Sequence, residues 1–397
     1  MASAAALVAC LISAWLAFEG RQWADWAIEA RPSVAALLAG HPGAFLRLAP
    51  PYGGSLLLRA PFMALAHLAG GGAGAVYAAG AVPCLAAGAV LGVWLALQLQ
   101  RRGGGPLAQA VTAALGAAGP LAIITLQQGH PEEILGGVLC VLAVLCAQRD
   151  RALWSGIIVG LAIANKEWGI LAAGPVLATL SRDRGRALAA MLLTAGALLA
   201  PFVLVRAGGF VGQTEAVALH ANSIFGPLQL WWFWGTPAHG GARMGPAWLA
   251  GIGHTLPVAL AVALSLLYGW RYRIAPERRR QDALLLLALL LLLRCALDPW
   301  DIVYYPVPFL MALLAWEGTR VARPPLIALV ASLVTWFIFQ GVTYPFNQGE
   351  NTIAVAFAAA TIPTICAIGW RLFGPSRPRW PVVRAPGGAG LRSSAGG

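Results

Sequence analysis

Residues 149–186 read RDRALWSGIIVGLAIANKEWGILAAGPVLATLSRDRGR. Two apolar runs of 14 residues, 152–165 and 167–180, meet at Asn165-Lys166-Glu167-Trp168. As helix, each run covers about 21 Å, well short of a hydrocarbon core of about 30 Å. Arg149 and Arg151 precede the pair, and Arg182, Arg184 and Arg186 follow it. Basic flanks belong on the cytoplasmic side of a membrane. The stretch therefore predicts a helical hairpin that enters and leaves from the inside, with its polar apex in the outer half of the bilayer. A continuous helix of 29 residues is the alternative, and it would strand one basic flank on the wrong side.

The rest of the 397-residue chain fits a membrane setting: 59% of it is apolar and 11% charged, against about 45–50% and about 25% in soluble domains. Segments long enough to cross or nearly cross a bilayer are 2–18, 75–99, 106–126, 132–148, 187–205, 247–270, 282–297, 302–316, 325–342 and 352–370. The fold class expected is all-α, a polytopic membrane protein of about ten spans plus the re-entrant hairpin. Two outer loops are long: 19–74 carries interfacial helices, and 206–246 carries an interfacial aromatic cluster, Trp231-Trp232-Phe233-Trp234. Short helices are predicted at Ser33–Ala39 and Pro42–Ala49, and an apolar interfacial stretch at 55–69. One domain covers 1–371, followed by a disordered basic tail over 372–397.

With the N-terminus inside, 19 of the 27 basic residues fall on the inner side against five acids; the outer side holds eight basic residues and ten acids. The net charge of +12 is thus an orientation signal, and a nucleic-acid partner is excluded. Both termini are expected to be cytoplasmic. Lys166 is the only lysine, against 26 arginines, a bias that suits a GC-rich bacterial genome and hence a bacterial plasma membrane. His41, His67, His130, His220, His239 and His254 all fall on the outer side, so the groups capable of chemistry gather on one face. The six cysteines show no CxxC spacing, which gives no reason to expect a metal or a disulfide. No nucleotide-binding or hydrolase motif stands in a usable context, and no cofactor is expected.

Four outer constellations remain. Glu19, Asp25 and Glu29 follow the first span, with Asp25 between Trp23 and Trp26, well placed as a base at the interface or as an ordinary solvated acid. Tyr52 and Arg59 lie further along the same loop. Gln127-Gln128-Gly129-His130-Pro131-Glu132-Glu133 forms a short turn. Its acids complement the positive end of the next helix, but helix capping leaves His130, Gln127 and Gln128 unexplained, and substrate binding is the other reading. At the hairpin apex Asn165, Lys166, Glu167 and Trp168 suit an anion such as a phosphate, unless Lys166 and Glu167 merely neutralise each other. Arg294, Asp298, Trp300, Asp301, Tyr304 and Tyr305 read either as an Arg–Asp ion pair or as a sugar-binding edge, with Asp301 and Tyr305 one helical turn apart.

Gly129-His130-Pro131-Glu132-Glu133, Gly160-Leu161-Ala162-Ile163-Ala164-Asn165-Lys166-Glu167-Trp168 and Leu297-Asp298-Pro299-Trp300-Asp301 with Tyr304-Tyr305, in this order, resemble the GT-C membrane glycosyltransferases, glycosyltransferase family 87 in particular. That resemblance implies a catalytic carboxylate in the first outer loop, which maps best onto Asp25. It implies an outward-facing cavity, a polyprenyl-phosphate sugar donor and no nucleotide. The function expected is transfer of a mannose-like hexose or a pentose to a cell-envelope lipid or glycan acceptor. A transporter or flippase of lipid-linked glycans is the alternative, and a non-catalytic scaffold a third. A transporter would show polar groups on both sides of the midplane and often an internal repeat, neither of which is evident here.

The charge asymmetry makes a topological prediction. Single cysteines near Asp25, within 210–240 and near Asn347 should react with an impermeant reagent outside intact cells. Reaction near Arg101 or Arg278 would overturn the orientation.

Overall fold

A computed structural model describes residues 1–19, 23, 25–206, 222–224, 226–238, 243–342 and 349–375. His220, His239, Asn347 and nearly all of the expected tail lie outside the described residues. The chain is mostly helical. Among the described residues, four helical stretches are long and apolar enough to cross a membrane: Ala73–Gln100, Pro106–Gln128, Arg184–Val205 and Glu350–Phe373. The other expected spans fall on shorter helices or on helices with charged ends.

Helix α1 (Ala2–Glu19) leads to a π-helical turn at Trp26–Ala30, then α2 (Arg31–Leu38) and α3 (Pro42–Leu48), close to the two short helices expected there. Helix α4 (Gly53–Leu68) does not simply lie along a surface: Leu56, Arg59 and Met63 turn one face inward, while Leu65 and Leu68 stay exposed. Helices α5 (Ala73–Gln100) and α6 (Pro106–Ala118) pack almost backbone to backbone. A Cβ on Gly92 would stand 2.6 Å from the Ala113 carbonyl oxygen, the small-residue contact that draws apolar helices together where water gives no drive. Gly119-Pro120 breaks the expected 106–126 span, because proline lacks the amide that would continue the ladder, and α7 (Pro120–Gln128) follows.

After α8 (Glu132–Gln148), helix α9 (Ala152–Asn165) ends at Lys166, and a 3-10 turn at Glu167–Ala172 leads into α10 (Ala173–Thr179). The chain doubles back here. The carboxylate of Asp150 accepts hydrogen bonds from the Ser181 amide (2.9 Å) and hydroxyl (2.7 Å), so the two basic flanks meet. Nearer the apex, a Cβ on Gly169 would stand 2.5 Å from the Ala162 carbonyl. The continuous 29-residue helix is therefore replaced by a hairpin, whose first arm packs on α11 (Arg184–Arg206).

A small antiparallel sheet interrupts the helical pattern: β1 (Ser223–Ile224), β2 (Thr236–Pro237) and β3 (Arg243–Met244), in the order β1-β3-β2. It is an addition to the all-α expectation. Beside it the turn Leu230–Trp234 divides the aromatic cluster. Trp232 is buried under Arg243 and donates to Asn351 Oδ1 at 3.0 Å, whereas Phe233 and Trp234 face outward. The expected 247–270 span is split into α12 (Ala247–Ile252) and α13 (Thr255–Arg271). Helices α14 (Pro276–Leu297) and α15 (Pro306–Gly318) form the centre, α15 being buried along its whole length. Helices buried all round need apolar residues all round, which is what Leu284–Leu292 and Val307–Trp316 provide. Helices α16 (Leu326–Trp336) and α17 (Glu350–Phe373) complete the bundle; α17 takes in two residues expected to lie in the tail.

The closed hairpin predicts that Arg151→Cys and Arg182→Cys, each alone in a cysteine-free background, react with an impermeant reagent from one and the same side. Reaction from opposite sides would restore the continuous helix.

Candidate functional site

All four sequence constellations converge on the start of α8. Gly129 makes the approach possible: it ends α7 at φ +100°, where residues with a side chain are rare, and a Cβ there would stand 2.7 Å from Trp26 Cβ. The turn therefore packs directly on the first-loop backbone. Trp23 and Trp26 both stack against Tyr77, with ring centroids 5.1 and 5.3 Å away. They hold the loop down instead of flanking Asp25 at the surface.

A chain of contacts runs inward from Asp25. Asp25 Oδ2 lies 3.1 Å from His130 Nε2, and His130 Nδ1 lies 2.6 Å from Glu132 Oε1. Glu132 Oε2 lies 3.3 Å from Arg59 Nη2. His130, Glu132 and Arg59 are buried, whereas the Asp25 side chain keeps 32% of its surface exposed. Burial alone would lower the His130 pKa, but the carboxylates of Glu132 and Asp25 outweigh it and raise it. The two carboxylates thus shift the bridge toward the imidazolium.

Glu133 organises a second branch. Its Oε1 lies 2.8 Å from Lys166 Nζ and accepts from Trp168 Nε1 at 3.3 Å, and its Oε2 lies 3.6 Å from Arg294 Nη1. Lys166 also approaches Glu132 at 3.8 Å and sits over the rings of Tyr52, Tyr304 and Tyr305 at 5.2, 5.4 and 6.0 Å. Arg294 stacks over Tyr305 at 3.7 Å. Asn165 Nδ2 donates to the Glu132 carbonyl at 2.9 Å, fixing the hairpin apex to α8. Both acids do lie in the first turn of α8, yet besides His130 their carboxylates meet Arg59, Lys166 and Arg294 from other segments.

Several expectations change in detail. Lys166 pairs with Glu133 and Glu132 and not with Glu167, whose side chain is exposed. A buried lysine already neutralised is not a free phosphate ligand. Arg294 takes Glu133 as its partner, so the Arg–Asp pair with Asp298 or Asp301 is not formed. Asp298 instead meets His254 Nδ1 at 3.2 Å, a contact that nothing in the local spacing announces. Asp301 and Tyr305 share no helical face, because α15 begins only at Pro306. Asp301 is fully buried, and burial pushes its carboxyl well above the usual range against the pull of Arg294. Glu29 is exposed and accepts from Tyr52 OH at 2.6 Å. Gln128 is half-buried beside the turn. Among the described residues there is no group of three or more His, Cys, Asp or Glu able to hold a metal ion.

No family model, no curated protein and no solved structure matches this chain.

The His130 bridge has a pH signature. Its folded pKa lies above the unfolded value of about 6.5, so its contribution to stability is full below that value and is lost as pH rises through the folded pKa. Melting temperature should therefore fall as pH rises above about 6.5. His130→Gln should lower stability by about 3–5 kcal/mol at the acid end, as expected for a buried pair that loses one partner, and flatten the pH dependence. A variant that melts like the parent across this range would exclude a charged bridge.

Proposed function

We propose that the protein is a membrane glycosyltransferase, with Asp25 as general base, that transfers a sugar from a polyprenyl-phosphate donor to an envelope lipid or glycan acceptor. The observation that carries this reading is the partial exposure of Asp25 at the end of a buried Asp25–His130–Glu132–Arg59 chain. A carboxylate held from behind by an imidazole has a fixed direction and one free edge, as a base working on an incoming hydroxyl requires. The expected multi-span topology, with the hairpin re-entering from the cytoplasmic side, belongs to the same proposal. It places Asp25 at the outer interface, where a lipid-linked donor presents its sugar.

The step balances without a cofactor. The acceptor O–H proton passes to an Asp25 oxygen as the acceptor oxygen bonds to the anomeric carbon. The bond from that carbon to the phosphate oxygen breaks, and the lipid phosphate leaves with the electron pair. Charge builds on the leaving phosphate and on an oxocarbenium-like centre. Arg59, Lys166 and Arg294 balance Asp25, Glu132 and Glu133 in number, and the carboxylates facing His130 shift it toward its charged form. In this scheme no single cation is a dedicated phosphate ligand.

Asp25→Asn keeps shape and hydrogen bonding but cannot take the proton. With purified protein and radiolabelled polyprenyl-phosphate sugars, its turnover should fall about 10²–10⁴-fold while donor binding persists. Glu29→Gln should cost far less, since Glu29 only receives the Tyr52 hydroxyl. Near-full activity in Asp25→Asn would remove Asp25 from the base role. Activity insensitive to Asp25, Glu29 and Glu132 alike would favour the transporter.

A further inference from the structure

At the opposite, arginine-rich end, two cavities share one side chain. A cavity of about 760 Å³ runs between α16 and α17 over a floor of Leu285, Leu313 and Trp316. Its walls include Val330 and Val334 on one side and Ala360 and Thr364 on the other, and it ends at Arg371. A second cavity of about 300 Å³ begins at the same Arg371 and is bounded by Glu277, Arg278, Gln281, Asp282 and Arg320. We propose that this composite site binds an anionic phospholipid, with an acyl chain in the apolar groove and the phosphate among Arg371, Arg320 and Arg278.

The length argues for a lipid chain. The α17 wall from Ala360 to Arg371 rises about 16 Å, close to one leaflet's share, about 15 Å, of the hydrocarbon core. The chemistry changes where the groove ends, from aliphatic walls to guanidinium groups. Trp316 marks that level, with Arg371 and Arg320 stacked over it at 5.0 and 5.5 Å. An aromatic ring beside basic groups suits the depth of lipid headgroups.

The charge count argues for an anion. Asp282 is shared between Arg320 and Arg278, and Glu277 is drawn to Arg280 at 3.6 Å. Glu317, close in sequence, is spent on the first amides of α16, accepting from Ile327 and Ala328 at 3.3 and 3.0 Å. Arg371 makes no ion pair among the described residues, so the pocket keeps a cationic excess. Basic pockets between helices at a membrane surface bind anionic headgroups, and a guanidinium matches phosphate geometry. This site lies apart from the Asp25 cluster and does not depend on the activity proposed for it.

Native mass spectrometry of the full chain in detergent, with equimolar phosphatidylglycerol and phosphatidylcholine, tests the assignment. Phosphatidylglycerol should be retained preferentially, and Arg371→Gln should cut that preference about fivefold. Val330→Trp, which fills the groove and leaves the arginines in place, should also remove the bound lipid. Arg273→Gln, at an exposed arginine stacked on Trp270 outside the pocket, should change nothing. Equal retention of the two lipids overturns the proposal, as does an Arg273→Gln loss as large as that of Arg371→Gln. So does retention that survives Val330→Trp, or displacement of the lipid by inorganic phosphate at equal concentration, which would indicate an anion pocket without a lipid groove.

Discussion

Two adjacent carboxylates with no access to solvent, Glu132 and Glu133, hold the acid-rich end of the molecule together. An isolated buried charge costs several kcal/mol, and paired charges repay it only when geometry and further hydrogen bonds are good. Consecutive residues on a helix diverge by about 100°, so the two acids recruit partners on different sides. Glu132 takes Arg59 from α4 and His130 from its own turn; Glu133 takes Lys166 and Trp168 from the hairpin and Arg294 from α14. Segments far apart in sequence are tied to one point because each supplies a group that another would leave stranded.

This requirement explains the shape of the hairpin. Two arms too short to cross a bilayer bring Lys166 to the level of the α8 N-terminus, and the Asp150–Ser181 contact closes the base. The helix breaks at Lys166 itself, where the backbone turns extended. Gly136 completes the fit: a Cβ there would stand 2.8 Å from the Trp168 ring and 2.9 Å from Asn165 Nδ2. The polar apex thus docks on a small residue one helical turn beyond the acids it neutralises.

Local signals in the sequence carried much of this. Short apolar runs with basic flanks identify the hairpin, and the polar turns name nearly every residue that meets at α8. The pairings were not legible. Adjacency made Glu167 the natural partner for Lys166, yet consecutive residues around a helix break point in different directions, and the buried demand of Glu133 wins. In the same way Arg294 has Asp298 and Asp301 close in sequence but meets Glu133 across the bundle. The break at Gly119-Pro120 and the closeness of Gly129 to Trp26 depend on backbone geometry that hydropathy does not register. The small sheet is invisible for another reason: strands of two residues carry no period.

The two ends of the bundle handle charge in opposite ways, and this bears on where chemistry and anchoring belong. At the acid-rich end Glu132, Glu133, Arg59, Lys166 and Arg294 are buried and paired, and Asp25 extends the chain to the surface. In the proposed transferase such an arrangement would direct one carboxylate with little reorganisation, which is where electrostatic catalysis gains most. At the other end the arginines are largely exposed and lie over aromatic rings: Arg149 on Trp94, Arg273 on Trp270, Arg278 on Tyr272, and Arg320 with Arg371 on Trp316. Stacking fixes a guanidinium's position while leaving its edge free for an anion. On the proposed membrane reading, such cations would hold the bundle at constant depth against a negatively charged leaflet. In the proposed transferase, Asp25 at the far end would then meet the lipid-borne donor at a constant height.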